Sequence, residues 1–372
     1  MRKVYCVILL LIMSCQHAIA SKRVAWLAPM KADTNGQVVF NEGNQFWQLT
    51  HDFIIDAAKD LDIQVEIFLY DKNRFEMVAK ANQITESKVA FDAVLFGNYQ
   101  DKGNEVLEIF EKANIPVFTF ITHFNHSNKQ LIPRKSYKYW IGQFITDDVA
   151  SGKILANALI DKASKINGKT PAMVAIGGEY GHSANIDRHL GLMSSVQTLN
   201  VDLKQYLFGS WKRSRGERVY RSITKRYPNL SVIWCANDEL ALGVSDAMKK
   251  RNETNVIIGG IDWNLESLAG VANGDIYASV GGHFLHGGFA LVLIYDYLSG
   301  FDFAKASSEQ QVTFSQTLLL LTQEDKIKVD KLLVSLKSKA IFDHLDFKSL
   351  SAAKQKKYKQ YNFSIQDSLF LK

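Results

Sequence analysis

The run Trp234-Cys235-Ala236-Asn237-Asp238-Glu239-Leu240-Ala241-Leu242-Gly243 drives an apolar segment straight into an amide and two carboxylates. Such groups either cap the helix that follows or point at something beyond the strand end. The pattern recurs after other apolar segments. The strings are Asn44-Gln45-Phe46-Trp47, Gly97-Asn98-Tyr99, Gly177-Gly178-Glu179-Tyr180-Gly181-His182 followed by Asn185, Gly209-Ser210-Trp211, and Asp262-Trp263-Asn264. Amides and carboxylates bond neighbouring hydroxyls in pairs, and flat aromatic rings cover an apolar C–H face. The mixture suits recognition of a neutral, hydroxyl-rich ring such as a sugar. Plainer roles stand beside this one. Asn237 and Asp238 fit as helix caps, Phe46 and Trp47 as core or a hydrophobic staple, and Trp211 as cover for a sheet edge. The recurrence, and no single string, carries the reading.

The elements that must position these groups follow a strand–helix rhythm. Strand-like Val24–Pro29, Ile63–Leu69, Ala90–Phe96 and Ile115–Ile121 alternate with helix-like Phe46–Leu61, Arg74–Ile84 and Gly103–Ala113. The polar stretch His123–Tyr137 interrupts. The rhythm then resumes from Tyr139 to Val280, with a helix beginning at Asp147 or Asp148, and an apolar helix follows over Gly287–Leu298. Val312–Leu321 reads as one last long strand, followed by a Lys-rich helix near Asp325–Lys339. Such alternation, with strands rich in Val, Ile and Phe, predicts parallel sheets covered on both faces. Ligands of open α/β sheets bind beyond the carboxyl ends of the strands, which is where the polar strings lie.

The bulk properties fit two lobes. The chain has 372 residues, 47% of them hydrophobic, more than one compact core accommodates. Arg2 and Lys3, the apolar run Val7–Met13 and Ala18-Ile19-Ala20 form a secretory signal over residues 1–20, expected to be cleaved after Ala20. The rival is a lipoprotein signal acylated at Cys15, which Met13 fits poorly. Removal of the signal takes the formal net charge from +6 to +4. Lys354, Lys356, Lys357 and Lys359 hold much of the remainder and read as a solvated face, with no nucleic-acid role. Cys6 and Cys15 leave with the signal, so Cys235 stands alone and no internal disulfide forms. An exported chain of this size without disulfides points to a bacterial periplasm.

The order of the segments and several strings resemble the type I periplasmic binding proteins of the ribose and galactose group, over about residues 22–320. Asn44-Gln45-Phe46-Trp47 resembles that family's Asn-Pro-Phe-Phe, and Asn114-Ile115-Pro116-Val117 its Asn-Ile-Pro-Val strand. Asp147-Asp148-Val149-Ala150-Ser151-Gly152 resembles its Asp-Asn-x-x-Gly-Gly helix start. Ser183-Ala184 with Arg188 and Gly191 is similar to its Ser-Ala-x-x-x-Arg-x-x-Gly helix. Asn237-Asp238-Glu239-Leu240-Ala241-Leu242-Gly243 is close to its Asn-Asp-Glu-x-Ala-x-Gly signature, and Gly260-Ile261-Asp262 to its Gly-Phe-Asp.

The resemblance implies an α/β fold of two doubly wound parallel-sheet lobes joined by a multi-strand hinge. The expected lobes are residues 21–145 plus 283–311 and residues 146–282 plus 312–340, with a C-terminal extension over 341–372. It implies that Asn237 faces the interlobe cleft while Asp238 caps its helix. Asp262 is then the second-lobe carboxylate, Trp211 the stacking ring, and Phe46 or Trp47 its opposite. Asp147 is expected near a crossover. The full ligand-binding set is Asn44, Phe46, Trp47, Asn98, Asp147, Asn185, Trp211, Asn237, Asp262, Trp263 and His283. There are departures from the family. Ile121-Thr122 stand where an Asp-Arg is common, Ile186 replaces a cleft arginine, and Gly282 replaces a crossover Gln, with His283 next to it. Arg188 matches a second arginine of structural role. These changes argue against ribose itself. Residues Asp33–Gly43 lengthen the first loop, and the long C-terminal extension is more like the autoinducer-2 receptor branch.

The function expected is capture of a sugar or related polyol by a monomer, without cofactor, for presentation to an ABC-type transporter permease. The alternative is a receptor for autoinducer-2 or a sugar that regulates a membrane sensor kinase or cyclase. An enzyme is disfavoured, because the chain has no G-x-S-x-G elbow and no defensible nucleophile–base pair. A metal site at His123/His126 or His283/His286 lacks an acid cluster beside it. A DNA-binding repressor is disfavoured because the signal occupies the place of its helix-turn-helix.

Overall fold

The computed structural model describes residues 21–35, 37–39, 45–126, 129–306, 310–358 and 360–370. The signal segment, Asn44 and part of the lengthened first loop lie outside the described residues.

The first lobe is built from β1 (Lys22–Ala28), α1 (Gln45–Leu61), β2 (Ile63–Leu69), α2 (Arg74–Thr85), β3 (Ala93–Phe96), α3 (Gly103–Ala113), β4 (Val117–Ile121) and β5 (Trp140–Thr146). The second lobe follows with α4 (Asp148–Asn167), β6 (Ala172–Gly177), α5 (Ser183–Thr198), β7 (Asp202–Phe208), α6 (Arg213–Arg226), β8 (Val232–Cys235), α7 (Asp238–Lys250), β9 (Ile257–Asp262), α8 (Leu265–Asn273) and β10 (Ala278–Gly281). The chain then returns to the first lobe with α9 (His286–Leu298) and β11 (Thr313–Gln316), and to the second with β12 (Leu319–Thr322) and α10 (Lys326–Ser338). Two short helices, α11 (Phe347–Leu350) and α12 (Ile365–Leu369), end the described chain.

The first sheet has the order β11-β5-β4-β3-β1-β2 and is parallel throughout. The second has the order β7-β6-β8-β9-β10-β12, parallel except for the antiparallel β10–β12 pair. The central strands β3, β4 and β8 are buried at every residue, as expected for sheets covered on both faces. Among the described residues no helix is long and apolar enough to cross a membrane.

One expected element is corrected. The run read as a single strand over Val312–Leu321 divides at Thr317-Leu318. β11 joins β5 of the first sheet, while β12 joins β10 of the second. An unbroken apolar run satisfies either sheet equally, so hydrophobicity alone does not show where the chain changes lobes. Residues 312–316, read as second-lobe, therefore belong to the first sheet.

Close helix packing sets the shape of the second lobe. A Cβ at Gly191 of α5 would lie 2.0 Å from the Val149 carbonyl oxygen of α4, and one at Gly152 would lie 2.1 Å from the Arg188 carbonyl oxygen. Only glycine lets these two backbones approach so closely. Gly191→Ala is expected to push α4 and α5 apart and cost on the order of 1–3 kcal/mol. Chemical denaturation of the variant beside the parent checks this, and an unchanged midpoint would contradict the tight packing.

Candidate functional site

The carboxyl ends of both sheets face one cleft, and its second-lobe floor centres on Arg188. This side chain is buried. Its Nε donates to Asp148 Oδ1 at 2.7 Å and its Nη1 to the Ala236 carbonyl at 2.7 Å. Nη1 also stands 3.7 Å from Asp262 Oδ1. Burial alone would lower the guanidinium pKa; the charges of Asp148 and Asp262 outweigh it and hold the group protonated. Burial pushes Asp148 up to about 6 despite Arg188. Asp238 and Asp262 are both pushed up, by burial first; their mutual repulsion adds for Asp238, while Arg188 and Lys72 oppose for Asp262. Burial likewise takes Glu239 up to about 7, with Arg213 opposing and Asp262 and Asp238 adding.

The remaining floor is aromatic and neutral. His283 is fully buried, with Nε2 3.4 Å from Asp262 Oδ1. Burial and the nearby Arg188 push its pKa well below the ordinary value, so the ring is neutral at neutral pH. Its Nδ1 has no partner among the described residues. Phe46 stacks on it, with ring centroids 4.4 Å apart, and Trp47 stands edge-on to Phe46 at 5.1 Å. The Trp211 ring lies 5.7 Å from the Arg188 guanidinium and edge-on to His182 at 5.4 Å.

From the first lobe, Lys72 enters at the mouth. Much of its side chain is exposed. Desolvation of its ammonium lowers its pKa, against the attraction of Glu239, Asp71 and Asp262. Three contacts close the lobes over this space. Gln45 Nε2 donates to Glu266 Oε1 at 2.8 Å, and the Glu266 N–H donates back to Gln45 Oε1 at 3.3 Å. His123 Nε2 pairs with Asp187 Oδ2 at 2.5 Å. Tyr99 meets His182 edge-on at 6.0 Å.

The structure therefore gathers Phe46, Trp47, Trp211, Asn237, Asp262 and His283 around one cleft. Four expected site residues are spent elsewhere. Asn98 uses Oδ1 to accept from the Gly103 N–H at the start of α3, and Nδ2 to donate to the His123 carbonyl. Asp147 caps α4 by accepting from the Ala150 N–H, and Thr317 also donates to it. Asn185 accepts from the Gly178 N–H and the Tyr206 hydroxyl. Trp263 is wholly buried and donates to the Ser279 carbonyl. Short polar side chains beside helix starts satisfy free backbone N–H groups, so a strand-end position alone does not aim them at a ligand.

The helix cap expected of Asp238 falls instead to Asn237, and Asp238 is spent inside the second lobe. Asn237 caps α7 by accepting from the Leu240 N–H, while its amide donates to the Trp211 carbonyl. Asp238 is fully buried and accepts from the Asn264 N–H and Ser279 Oγ. Arg188, Lys72, Glu239, Tyr99 and His182 were not among the expected site residues. Tyr70-Asp71-Lys72 directly follows β2, so the strand-end rule applied to that strand would have reached Lys72. His286, weighed with His283 as a metal pair and disfavoured, bonds Gln316 and Thr146, and the His126 side chain lies outside the described residues. Among the described residues no group of three or more His, Cys, Asp or Glu could hold a metal ion.

Two α/β lobes closed over a polar, aromatic-walled cleft define a bilobed binding protein. Residues 36–300 match the model of the periplasmic binding protein domain, and the chain belongs to that family. It is 24% identical over 255 residues to the ribose import binding protein RbsB of Escherichia coli, covering 68% of this chain and 79% of that one. It is 29% identical over 137 residues to the D-allose-binding periplasmic protein of Escherichia coli, covering 36% and 43%. A solved periplasmic sugar-binding protein from Pseudomonas fluorescens superposes with a TM-score of 0.79 at 23% identity, covering 94% of this chain and 99% of that one.

The cross-lobe His123–Asp187 pair predicts a pH dependence of the interlobe contact. The hydrogen bond to Asp187 raises the His123 pKa above its ordinary 6.5, with the charges of Asp187, Asp148 and Asp101 adding. A raised histidine pKa stabilises most below the ordinary value, and the gain is lost as pH rises through the raised one. NMR titration of His123 should show a pKa above that of an Asp187→Asn variant. Identical titrations would mean that the pair does not form in solution.

Proposed function

We propose that this chain is a periplasmic solute-binding protein. It captures a sugar or related polyol between its lobes and presents it to an ABC-type importer in the inner membrane. The observation that supports this best is the arrangement of the floor. Asp262, Arg188 and His283 offer acceptors and donors side by side, while Phe46 and Trp211 supply rings at the same cleft. Hydroxyls bond to the first group, and C–H faces pack against the second. The names of the relatives, a ribose import binding protein and a D-allose-binding periplasmic protein, agree with this class.

The chain works by binding, as a monomer and without a cofactor. Export follows cleavage after Ala20, with acylation at Cys15 the less favoured route. The lobes close by hinge motion, and the closed form is what the membrane partner recognises. Ile121-Thr122, Ile186 and Gly282 stand where the ribose-type family has polar contacts, so a sugar other than ribose fits better. His283, neutral and close to Asp262, adds a donor or acceptor beside the position of that family's crossover amide.

Thermal unfolding of residues 21–372 against pentoses, hexoses, polyols and nucleosides tests the reading. A sugar present at about a thousand times its Kd adds about 4 kcal/mol of stability. Asp262→Asn and Trp211→Ala should each weaken that sugar at least about tenfold, or ~1.4 kcal/mol, while remaining folded. Unchanged affinity in both variants would remove the cleft assignment. A response only to compounds without hydroxyls would remove the sugar class.

A further inference from the structure

The chain passes between the lobes three times in its body: at Thr146-Asp147-Asp148, at Gly281-Gly282-His283, and at Gln316–Leu319. The C-terminal segment adds two more passages. α10 packs on α8 of the second lobe. Directly after it, Lys339 pairs with Asp52 of α1, and Phe342 meets Phe53 of α1 with ring centroids 5.0 Å apart. The segment is then anchored firmly to the first lobe. The Phe347 N–H donates to Asp60 of α1 at 3.0 Å, and Lys354 Nζ donates to Asp62 at 2.7 Å. The buried Asp296 carboxylate of α9 accepts from the Ala352 and Ala353 N–H groups at 2.7 and 3.0 Å, from the Tyr361 hydroxyl at 2.7 Å, and from Ser351 Oγ.

The fifth passage runs along the hinge itself. Phe363 packs against Phe144, Phe289 and Phe314, and its carbonyl accepts from Gln316 Nε2 at 3.0 Å. Gln316 belongs to the third passage. Ile365 covers Gly282 in the second: a Cβ there would lie 2.5 Å from Ile365, and Gly282 has φ +107°. The segment ends on the second lobe. Lys328 of α10 donates to Gln366 at 3.3 Å and stands 4.1 Å from the Phe370 ring, which meets Trp263 edge-on at 6.0 Å.

We propose that the described C-terminal residues 340–358 and 360–370 form a strap that restrains the hinge, keeping the ligand-free cleft narrower than three passages alone would. Opening changes the spacing between the strap's anchors on α9 and on α10 with Trp263, so it must shift Ile365 off Gly282 or peel Phe370 from Trp263. A cleft held near its closed form asks less of the ligand, because less of the binding free energy is used to populate that form. The inference rests on the lobe-closure reading above.

Distance measurement between spin labels tests it on the whole mature chain without ligand, so its outcome is independent of whether a sugar binds. Labels go on Phe75→Cys of α2 and Leu190→Cys of α5, both exposed in the parent; Cys235 is buried and stays unlabelled. Two changes at the strap's second-lobe anchor, Phe370→Ala in the strap and Lys328→Ala on α10, are introduced separately. The expected result is a longer and broader interlobe distance in each, by several ångström for Phe370→Ala and less for Lys328→Ala. The parent distribution unchanged in both overturns the strap. Should Phe370→Ala fail to fold, the surface change Lys328→Ala decides alone.

Discussion

The buried Arg188 guanidinium is the contact on which the second lobe and its half of the cleft depend. It ties α5 to α4 through Asp148, to the end of β8 through the Ala236 carbonyl, and to the end of β9 through Asp262. A buried cation is tolerated only when its partners are placed well enough to offset its desolvation. Here two carboxylates and a carbonyl do so, and the approach of α4 to α5 at Gly152 and Gly191 makes the geometry possible. In turn the cation determines how much negative charge the floor can keep. Asp148, Asp238, Glu239 and Asp262 are all pushed upward by burial. Without Arg188 the acids nearest to it would more readily take up protons, and the floor would exchange acceptors for donors.

The backbone is arranged to aim side chains into this cleft. At the carboxyl ends of strands in both lobes it turns through the left-handed region at residues other than glycine: Asp71 and Lys72, Gln100 and Asp101, Ile121, Ser210 and Trp211, and Asp262 and Trp263. Such positions cost roughly 1–3 kcal/mol each and persist where surrounding packing over-determines them. For Trp211 and Lys72 the turn ends with the side chain at the cleft. For Trp263 the same device drives the ring back into the core, against Gly281. The strain marks where the chain reverses, and the sign of its reward differs from one turn to the next.

That difference explains what the sequence disclosed and what it withheld. Strand–helix alternation and the ordered strings were enough for two parallel-sheet lobes, because burial on both faces leaves continuous Val, Ile and Phe runs. Asp262, Trp211, Phe46 and His283 could be named because they end a strand, follow one closely, open the first helix or sit beside a crossover. Asn98, Asn185 and Asp147 satisfy the same positional rule but cap backbone groups, a choice fixed by three-dimensional neighbours such as Tyr206 and Thr317. Arg188 was legible as a motif residue and not as the centre of the floor, since its partners lie 40 to 74 positions away. The C-terminal segment carried no periodic signal at all. Its place is set by single anchors, chiefly Asp296 and the ring of Phe363, which have no local signature.

Neither lobe is continuous along the chain, and this constrains how the protein can fold. The first sheet takes its interior strand β1 from residue 22 onward and its edge strand β11 from residues 313–316. The helix α9, which packs on α1, comes after five of the second sheet's six strands. Loop-closure entropy must be met before such distant pairs reward the chain, so folds rich in them form slowly. A chain emerging from its N-terminus therefore cannot complete its first lobe until most of its length is available. Under the export proposed above, a topology that postpones compaction would keep the chain competent to cross a membrane unfolded.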